Sequence, residues 1–206
     1  MVLVVERPDR PLEHQTLRSM FEARKRVFVD LLKWDVPVLE GRYEVDQFDD
    51  EHAVYVIVTD ARGDHAGSAR LLQTCRPHIL DSLFAELCEH APPRGRDILE
   101  ITRFCLDRRQ PAARRLHTRN RLVTALVDFA LQRGISSYTG VAELGWFQQI
   151  LAFGWRCRPL GLPRVVGAQM LGALQIGIEP GTPGMLAGSG IYDRTPTSPA
   201  RELEAA

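Results

Sequence analysis

Seven consecutive residues, Ala53-Val-Tyr-Val-Ile-Val-Thr59, restrict the fold of this chain more than any other stretch. An unbroken apolar and β-branched run of that length suits a strand buried on both faces, not an amphipathic helix. Asp60 to Asp64 reads as a turn and Ala66 to Thr74 as the partner strand, which predicts an antiparallel hairpin. A strand buried on both faces needs a layer on each side. Helices are predicted over His14 to Leu32, Ile79 to His90, a long segment with Leu122 to Ala130 on its apolar face, and Leu144 to Phe153. Strands are predicted over Val2 to Val5, Asp97 to Leu106, Ile135 to Val141, Arg156 to Gly161 and Val165 to Gly177. Their alternation implies an α/β chain, a three-layer αβα sandwich around a mixed sheet. Gly134 and Gly154 are placed to stop two of the helices, and Pro8 to Pro11 to turn the chain after the first strand.

Length and composition narrow the class. A chain of 206 residues with 45% hydrophobic and 25% charged content can bury one core, so residues 1–179 are expected to form a single domain. Residues 180–206, rich in Pro, Gly, Ser and Thr, read as a flexible tail. Neither a bilayer-spanning run nor a signal-peptide core is evident, and a cytoplasmic location is expected. Cys75, Cys88, Cys105 and Cys157 lack paired spacing, so each is read as a small buried hydrophobe and no metal site is expected. The absence of a P-loop or a Gly-x-Gly-x-x-Gly fingerprint gives no support to a nucleoside triphosphate or dinucleotide site.

Net charge is zero but unevenly spread, with the charged residues of 35–64 mostly acidic and those of 94–121 mostly Arg. The neutral total and the lack of a recognition motif argue against nucleic acid as a partner. The basic stretch, with Arg108, Arg109, Arg114 and Arg115, is either a solvated helix start or a docking surface for an acidic partner or phosphate.

Chemistry concentrates between Arg24 and Asp49. Arg24, Phe28, Trp34, Glu44, Asp46 and Asp49 bring a cation, two large aromatics and three carboxylates into one segment, half helix and half loop. Arg70 lies inside the predicted second strand of the hairpin, where a charge needs an ion-pair partner or a ligand. Glu100 and Arg103 sit on another strand. Strict alternation turns Glu100 and Thr102 to one face and Arg103 to the other, unless a bulge intervenes.

Taken in order, Arg-x3-Phe-x5-Trp, Glu-Val-Asp-Gln-Phe-Asp, Gly-Ser-Ala-Arg-Leu-Leu and Glu-Ile-Thr-Arg-Phe resemble the acyl-homoserine lactone synthases, the LuxI-type autoinducer synthases of bacterial quorum sensing. The likeness covers roughly residues 15–160. It implies a GNAT-like fold, in which two splayed strands open a V-shaped cleft for a thioester. It also implies transfer of an acyl group from acyl carrier protein or coenzyme A to the amine of S-adenosylmethionine, followed by lactone closure and loss of methylthioadenosine. S-adenosylmethionine is then a substrate, with no separate cofactor.

By that resemblance Arg24, Phe28, Trp34, Asp46, Asp49 and Arg103 line or close over the S-adenosylmethionine pocket. Asp46, Arg70, Glu100 and Arg103 form one charged catalytic network, with Glu100 as the candidate general base. The basic stretch would then meet acyl carrier protein or coenzyme A phosphates. Thr102 stands where the family usually has Ser, and Gln73-Thr74 where Pro-Thr is common. Thr139 falls near a position linked in the family to 3-oxoacyl donors. The alternatives are a GNAT-like N-acyltransferase with a different amine acceptor and a non-catalytic binding protein on the same scaffold.

Overall fold

Strands form where the sequence is β-branched, and the computed structural model describes them within residues 1–6 and 11–193. The predicted turn falls mostly on residues 7–10, and the end of the predicted tail on 194–206, both outside the described residues. The described residues fall into two compact units, 1–71 with 103–125, and 72–102 with 126–193.

The first unit opens with β1 (Val2–Glu6). Helix α1 (Gln15–Arg24) follows, and buries Leu17, Met20, Phe21 and Arg24 at the three- and four-residue spacing of one helical face. A π-helical segment, Lys25–Leu31, continues it and buries Val27 and Phe28. Lys33, with φ of 59°, ends the helical run. The acidic segment beyond is not wholly irregular, because β2 (Val38–Leu39) and β3 (Tyr43–Glu44) pair antiparallel. Their turn is made by Glu40 and Gly41, both at left-handed φ, where a glycine carries no steric penalty.

β4 (Val54–Thr59) and β5 (His65–Gln73) form the expected antiparallel hairpin, with Tyr55 opposite Arg70. β1 lies antiparallel on the other side of β4, with Val2 opposite Val58. Tyr55, Val56 and Ile57 are fully enclosed, as a strand covered on both faces requires.

In the second unit α2 (Ile79–Leu83) is much shorter than the helix predicted to His90. The chain leaves helical geometry at Phe84, and the Glu89 N–H then donates to the Leu160 carbonyl at 2.8 Å. An N–H committed to that distant carbonyl is unavailable to a continuing helix. β6 (Ile98–Leu106) and α3 (Ala112–Arg133) start and finish in different units. Gly134, at φ of 66°, follows α3 as the sequence predicts.

β7 (Ser137–Glu143) runs parallel to β6 and leads into α4 (Leu144–Leu151). β8 (Arg156–Pro159), β9 (Arg164–Val166) and β10 (Gln169–Gly177) complete the unit, with β10 antiparallel to β7, β8 and β9. The β6–β7 ladder stops at Glu100 opposite Thr139, whereas β7 stays paired with β10 as far as Glu143.

Part of the expected tail is ordered. Thr182–Gly188 forms α5, with Thr182 and Leu186 buried, and the Tyr192 hydroxyl donates to Asp128 Oδ1 at 2.9 Å. Composition hides this because, among the described residues from 180 on, only Leu186 and Ile191 are buried apolar side chains. The cysteines also depart from expectation, since only Cys105 is buried while Cys75 is exposed and Cys88 and Cys157 are half-buried.

Candidate active site

Three arginines and three carboxylates of the first unit meet in a sealed ion network. Arg24 comes from the buried face of α1, Glu44 from the end of β3, Asp46 and Asp49 from the loop beyond, Arg70 from β5 and Arg103 from β6. Arg24 donates through Nε to Glu44 Oε2, and through Nη1 and Nη2 to the two oxygens of Asp49 at 2.7 and 2.9 Å. Arg70 donates to both oxygens of Asp46 at 2.6 and 3.0 Å, and its Nη1 lies 2.8 Å from Asp49. Arg103 links the remaining pair, from Nη2 to Glu44 at 3.0 Å and to Asp46 at 2.8 Å.

The charges balance, and no side chain of the six is more than 9% exposed. Isolated charges at such depth would be driven neutral, so their persistence depends on these pairings. Burial opposes ionisation of Asp49, but Arg24 and Arg70 outweigh it and hold the carboxyl well below its usual range. Burial likewise opposes the charge on Arg24, and Asp49 and Glu44 more than offset it. The Tyr55 hydroxyl donates to Asp49 Oδ1 at 2.9 Å, and burial followed by the neighbouring carboxylate raises its pKa. The loop is tied back by its own backbone, with Asp46 N–H donating to Asp49 Oδ2 and Phe48 N–H to Asp46 Oδ1.

Beside the network, Phe28 and Trp34 stack with centroids 4.7 Å apart. Arg103 lies 5.5 Å from the Phe28 centroid and 5.8 Å from that of Trp34, a cation held against two ring faces. Trp34 Nε1 is buried without a hydrogen-bond partner among the described residues. Arg103 has φ of 51°, left-handed for a non-glycine residue inside a strand. That local break ends the strict alternation from which the sequence placed its side chain.

Glu100 belongs to the second unit and is fully enclosed. Its Oε2 lies 2.9 Å from His78 Nδ1, and its Oε1 accepts the Leu80 N–H at 2.9 Å. Its ladder partner Thr139 is also buried. His78 was not foreseen, because it stands just before a short helix without any motif around it. Tyr55 was hidden inside an apolar run. Glu44 stood in view among the acidic residues, but nothing in the sequence says that it bridges two arginines.

Of the basic stretch, Arg108, Arg109 and Arg114 are exposed and Arg115 is half-buried. Arg109 is committed to Asp107, with contacts of 2.7 to 3.1 Å, and Arg115 donates to the Gln110 carbonyl at 2.6 Å. Among the described residues no group of His, Cys, Asp and Glu is arranged to hold a metal ion, and no helix is long and apolar enough to cross a membrane.

The autoinducer synthase family matches residues 10–180. An acyl-homoserine-lactone synthase of Ralstonia solanacearum is 33% identical over 164 residues, which cover 77% of this chain and 80% of that protein. One from Agrobacterium fabrum is 28% identical, covering 81% of this chain and 82% of its own. Among solved structures, the CoA-dependent acyl-homoserine lactone synthase BjaI with SAM and isopentyl-CoA is 25% identical, with a TM-score of 0.84 over 100% of this chain and 96% of that one. TofI in a ternary complex with an inhibitor and MTA is 28% identical, with a TM-score of 0.77 over 94% and 97% of the two chains. An N-acetyltransferase from Lactobacillus plantarum, 15% identical at a TM-score of 0.56 and covering 87% of this chain and 98% of its own, shares the fold alone. These likenesses agree with the expected αβα, GNAT-like architecture.

Proposed function

The chain belongs to the autoinducer synthase family, and we infer that it makes an acyl-homoserine lactone for quorum sensing. It is an acyltransferase that uses S-adenosylmethionine and an acyl thioester. The observation that carries this reading is the family match over residues 10–180, which takes in every member of the ion network. A different amine acceptor, or binding without catalysis, fits less well with relatives that are acyl-homoserine-lactone synthases over four-fifths of their length.

The substrate sets two tasks. S-adenosylmethionine carries a sulfonium, a carboxylate, an adenine ring and an amine. The Phe28–Trp34 stack offers an aromatic wall for the ring or the sulfonium, since a ring face attracts a cation as it already does with Arg103. Arg24, Asp46, Asp49 and Arg103 hold that wall and its loop in place through the network. The wall is therefore held in place before binding, and little of it has to be ordered.

The second task is acyl transfer. The neutral amine attacks the thioester carbonyl, a C–N bond forms, the C–S bond breaks, and one N–H proton must be removed. Glu100 is the carboxylate on which that deprotonation depends. The homoserine carboxylate then attacks its own γ-carbon. Its C–O bond forms as the sulfonium C–S bond breaks, the two charges cancel, and methylthioadenosine leaves. Both steps need S-adenosylmethionine as a substrate and neither calls for a cofactor.

The donor is acyl carrier protein or coenzyme A carrying the acyl thioester. Arg108, Arg109, Arg114 and Arg115 are the surface for its acidic or phosphate groups, steering encounter through charge. The cytoplasm, where both substrates are made, is the location that fits.

The test is mass spectrometry of lipophilic extracts from a heterologous host, with intact protein, a Glu100 variant and an empty vector. An acyl-homoserine lactone seen only with the intact protein supports the reading and identifies the acyl chain. Purified protein that releases no methylthioadenosine with any of a panel of acyl thioesters would overturn it.

A further inference from the structure

The Glu100 carboxylate is poorly placed to act alone. It is fully enclosed, and each oxygen is already engaged, Oε1 by the Leu80 N–H and Oε2 by His78 Nδ1, both at 2.9 Å. With Glu100 ionised, its carboxylate only accepts hydrogen bonds, which puts the proton of the second contact on His78 Nδ1. In a neutral imidazole that leaves Nε2 bare, with its lone pair directed away from Glu100.

Nε2 is buried and has no hydrogen-bond partner among the described residues. A buried polar atom left unmatched costs free energy, and such atoms gather where a ligand completes them. Thr139 Oγ1, on the residue paired with Glu100 where the ladder ends, is buried and unmatched as well. Two unmatched polar atoms therefore lie near one buried carboxylate, at the end of the β6–β7 ladder.

We propose that His78 is the general base of acyl transfer, with Glu100 orienting its ring and stabilising the imidazolium that forms. This rests on the reading of the chain as an acyl-homoserine lactone synthase. As the neutral amine attacks, its N–H proton passes to His78 Nε2 while the C–N bond forms. The C–S bond then breaks, and the departing thiolate takes the proton from the imidazolium and leaves as a thiol. The pair returns to its starting state with atoms and charge balanced.

The titratable groups of α2 and β7 are engaged elsewhere or exposed. Asp81 of α2 faces Arg94 at 3.6 Å, and Tyr138 of β7 donates to the Leu126 carbonyl. Glu143 of β7 is exposed. Glu100 is the charged group in contact with His78.

His78→Asn separates the two roles of the ring, because the Asn amide N–H can replace Nδ1–H toward Glu100 but offers no base. Using S-adenosylmethionine and the acyl thioester that yields lactone with intact protein, His78→Asn is expected to lower kcat at least about 100-fold. S-adenosylmethionine affinity should stay within about threefold. Imidazole should partly restore His78→Gly. Retention of the rate in His78→Asn, or no rescue of His78→Gly by imidazole, would overturn the proposal. If neither variant folds, ¹⁵N resonances of His78 in the intact protein decide, since a proton on Nε2 in place of Nδ1 sinks it. Loss of turnover in Glu100→Gln with His78→Asn unaffected would remove His78 alone, whereas intact protein that makes no lactone would remove the functional reading beneath it.

Discussion

Arg24 and Asp49 face each other through two parallel hydrogen bonds, Nη1 to Oδ1 at 2.7 Å and Nη2 to Oδ2 at 2.9 Å, with both side chains sealed from solvent. The guanidinium uses its remaining edge on Glu44, so one arginine fixes a strand end and a loop to α1. A lysine supplies the same charge but a single point of contact. Arg24→Lys is therefore expected to lower unfolding free energy by roughly 3 kcal/mol, within the range for breaking buried pairs. Urea unfolding measures it. A loss below about 1 kcal/mol would put the pair in the class of exposed salt bridges.

How much of this network was readable depended on distance along the chain. Arg24 and Phe28 share a helical face, and Asp46 and Asp49 share a loop, so local spacing exposed them. Which carboxylate meets which arginine depends on Arg70 and Arg103, from strands far along the chain, and local spacing carries no such information. The left-handed φ of Arg103 was invisible too, because nothing distinguishes this arginine from one in a regular strand. The β4–β5 hairpin was legible because a continuous β-branched run has few other uses. Helix α2 was overread because periodicity cannot anticipate a backbone N–H claimed by Leu160.

His65 sets a separate pH window. It is buried in β5 with Nε2 2.9 Å from Ser68 Oγ, and burial pushes its pKa down to about 4. In the unfolded chain the value is about 6.5, so between the two the unfolded state binds more protons and stability rises with pH. The His65 contribution is flat above about pH 6.5 and falls by about 3 kcal/mol on descending to pH 4. The depressed carboxylates act lower, since their contribution is lost only below the unfolded value of about 3.9. Urea midpoints at neutral pH and near pH 4.5 should converge for His65→Gln and diverge for the intact protein. Equal divergence in both would show that another group carries the effect.

Glu100→Gln tests the buried pair from its other side. If the amide oxygen keeps the Leu80 N–H, the amide nitrogen faces His78 Nδ1 as a donor, and the ring satisfies it only by moving its proton to Nε2. The variant then loses the base without losing volume. Turnover should fall at least about 100-fold while the S-adenosylmethionine dissociation constant changes less than about threefold. Stopped-flow acyl transfer and calorimetry give the two quantities. A matching loss in both would assign Glu100 to substrate positioning.

The arginine-rich stretch is not uniform, and its members should respond differently. Arg109 is tied to Asp107 and Arg115 to the Gln110 carbonyl, whereas Arg108 and Arg114 are exposed. A docking partner gains most from charges not already committed to an internal carboxylate. Reversing Arg108 and Arg114 together to Glu should raise the apparent KM for acyl carrier protein about tenfold at low salt and leave kcat and the unfolding midpoint unchanged. Because the Debye length shrinks to about 3 Å at 1 M ionic strength, the difference should fade as salt is added. Arg109→Glu should instead disturb the turn before α3, placing a second carboxylate beside Asp107. Initial rates across a salt series separate the cases, and a KM for the double reversal that matches the intact protein at low salt would return the stretch to a solvated helix start.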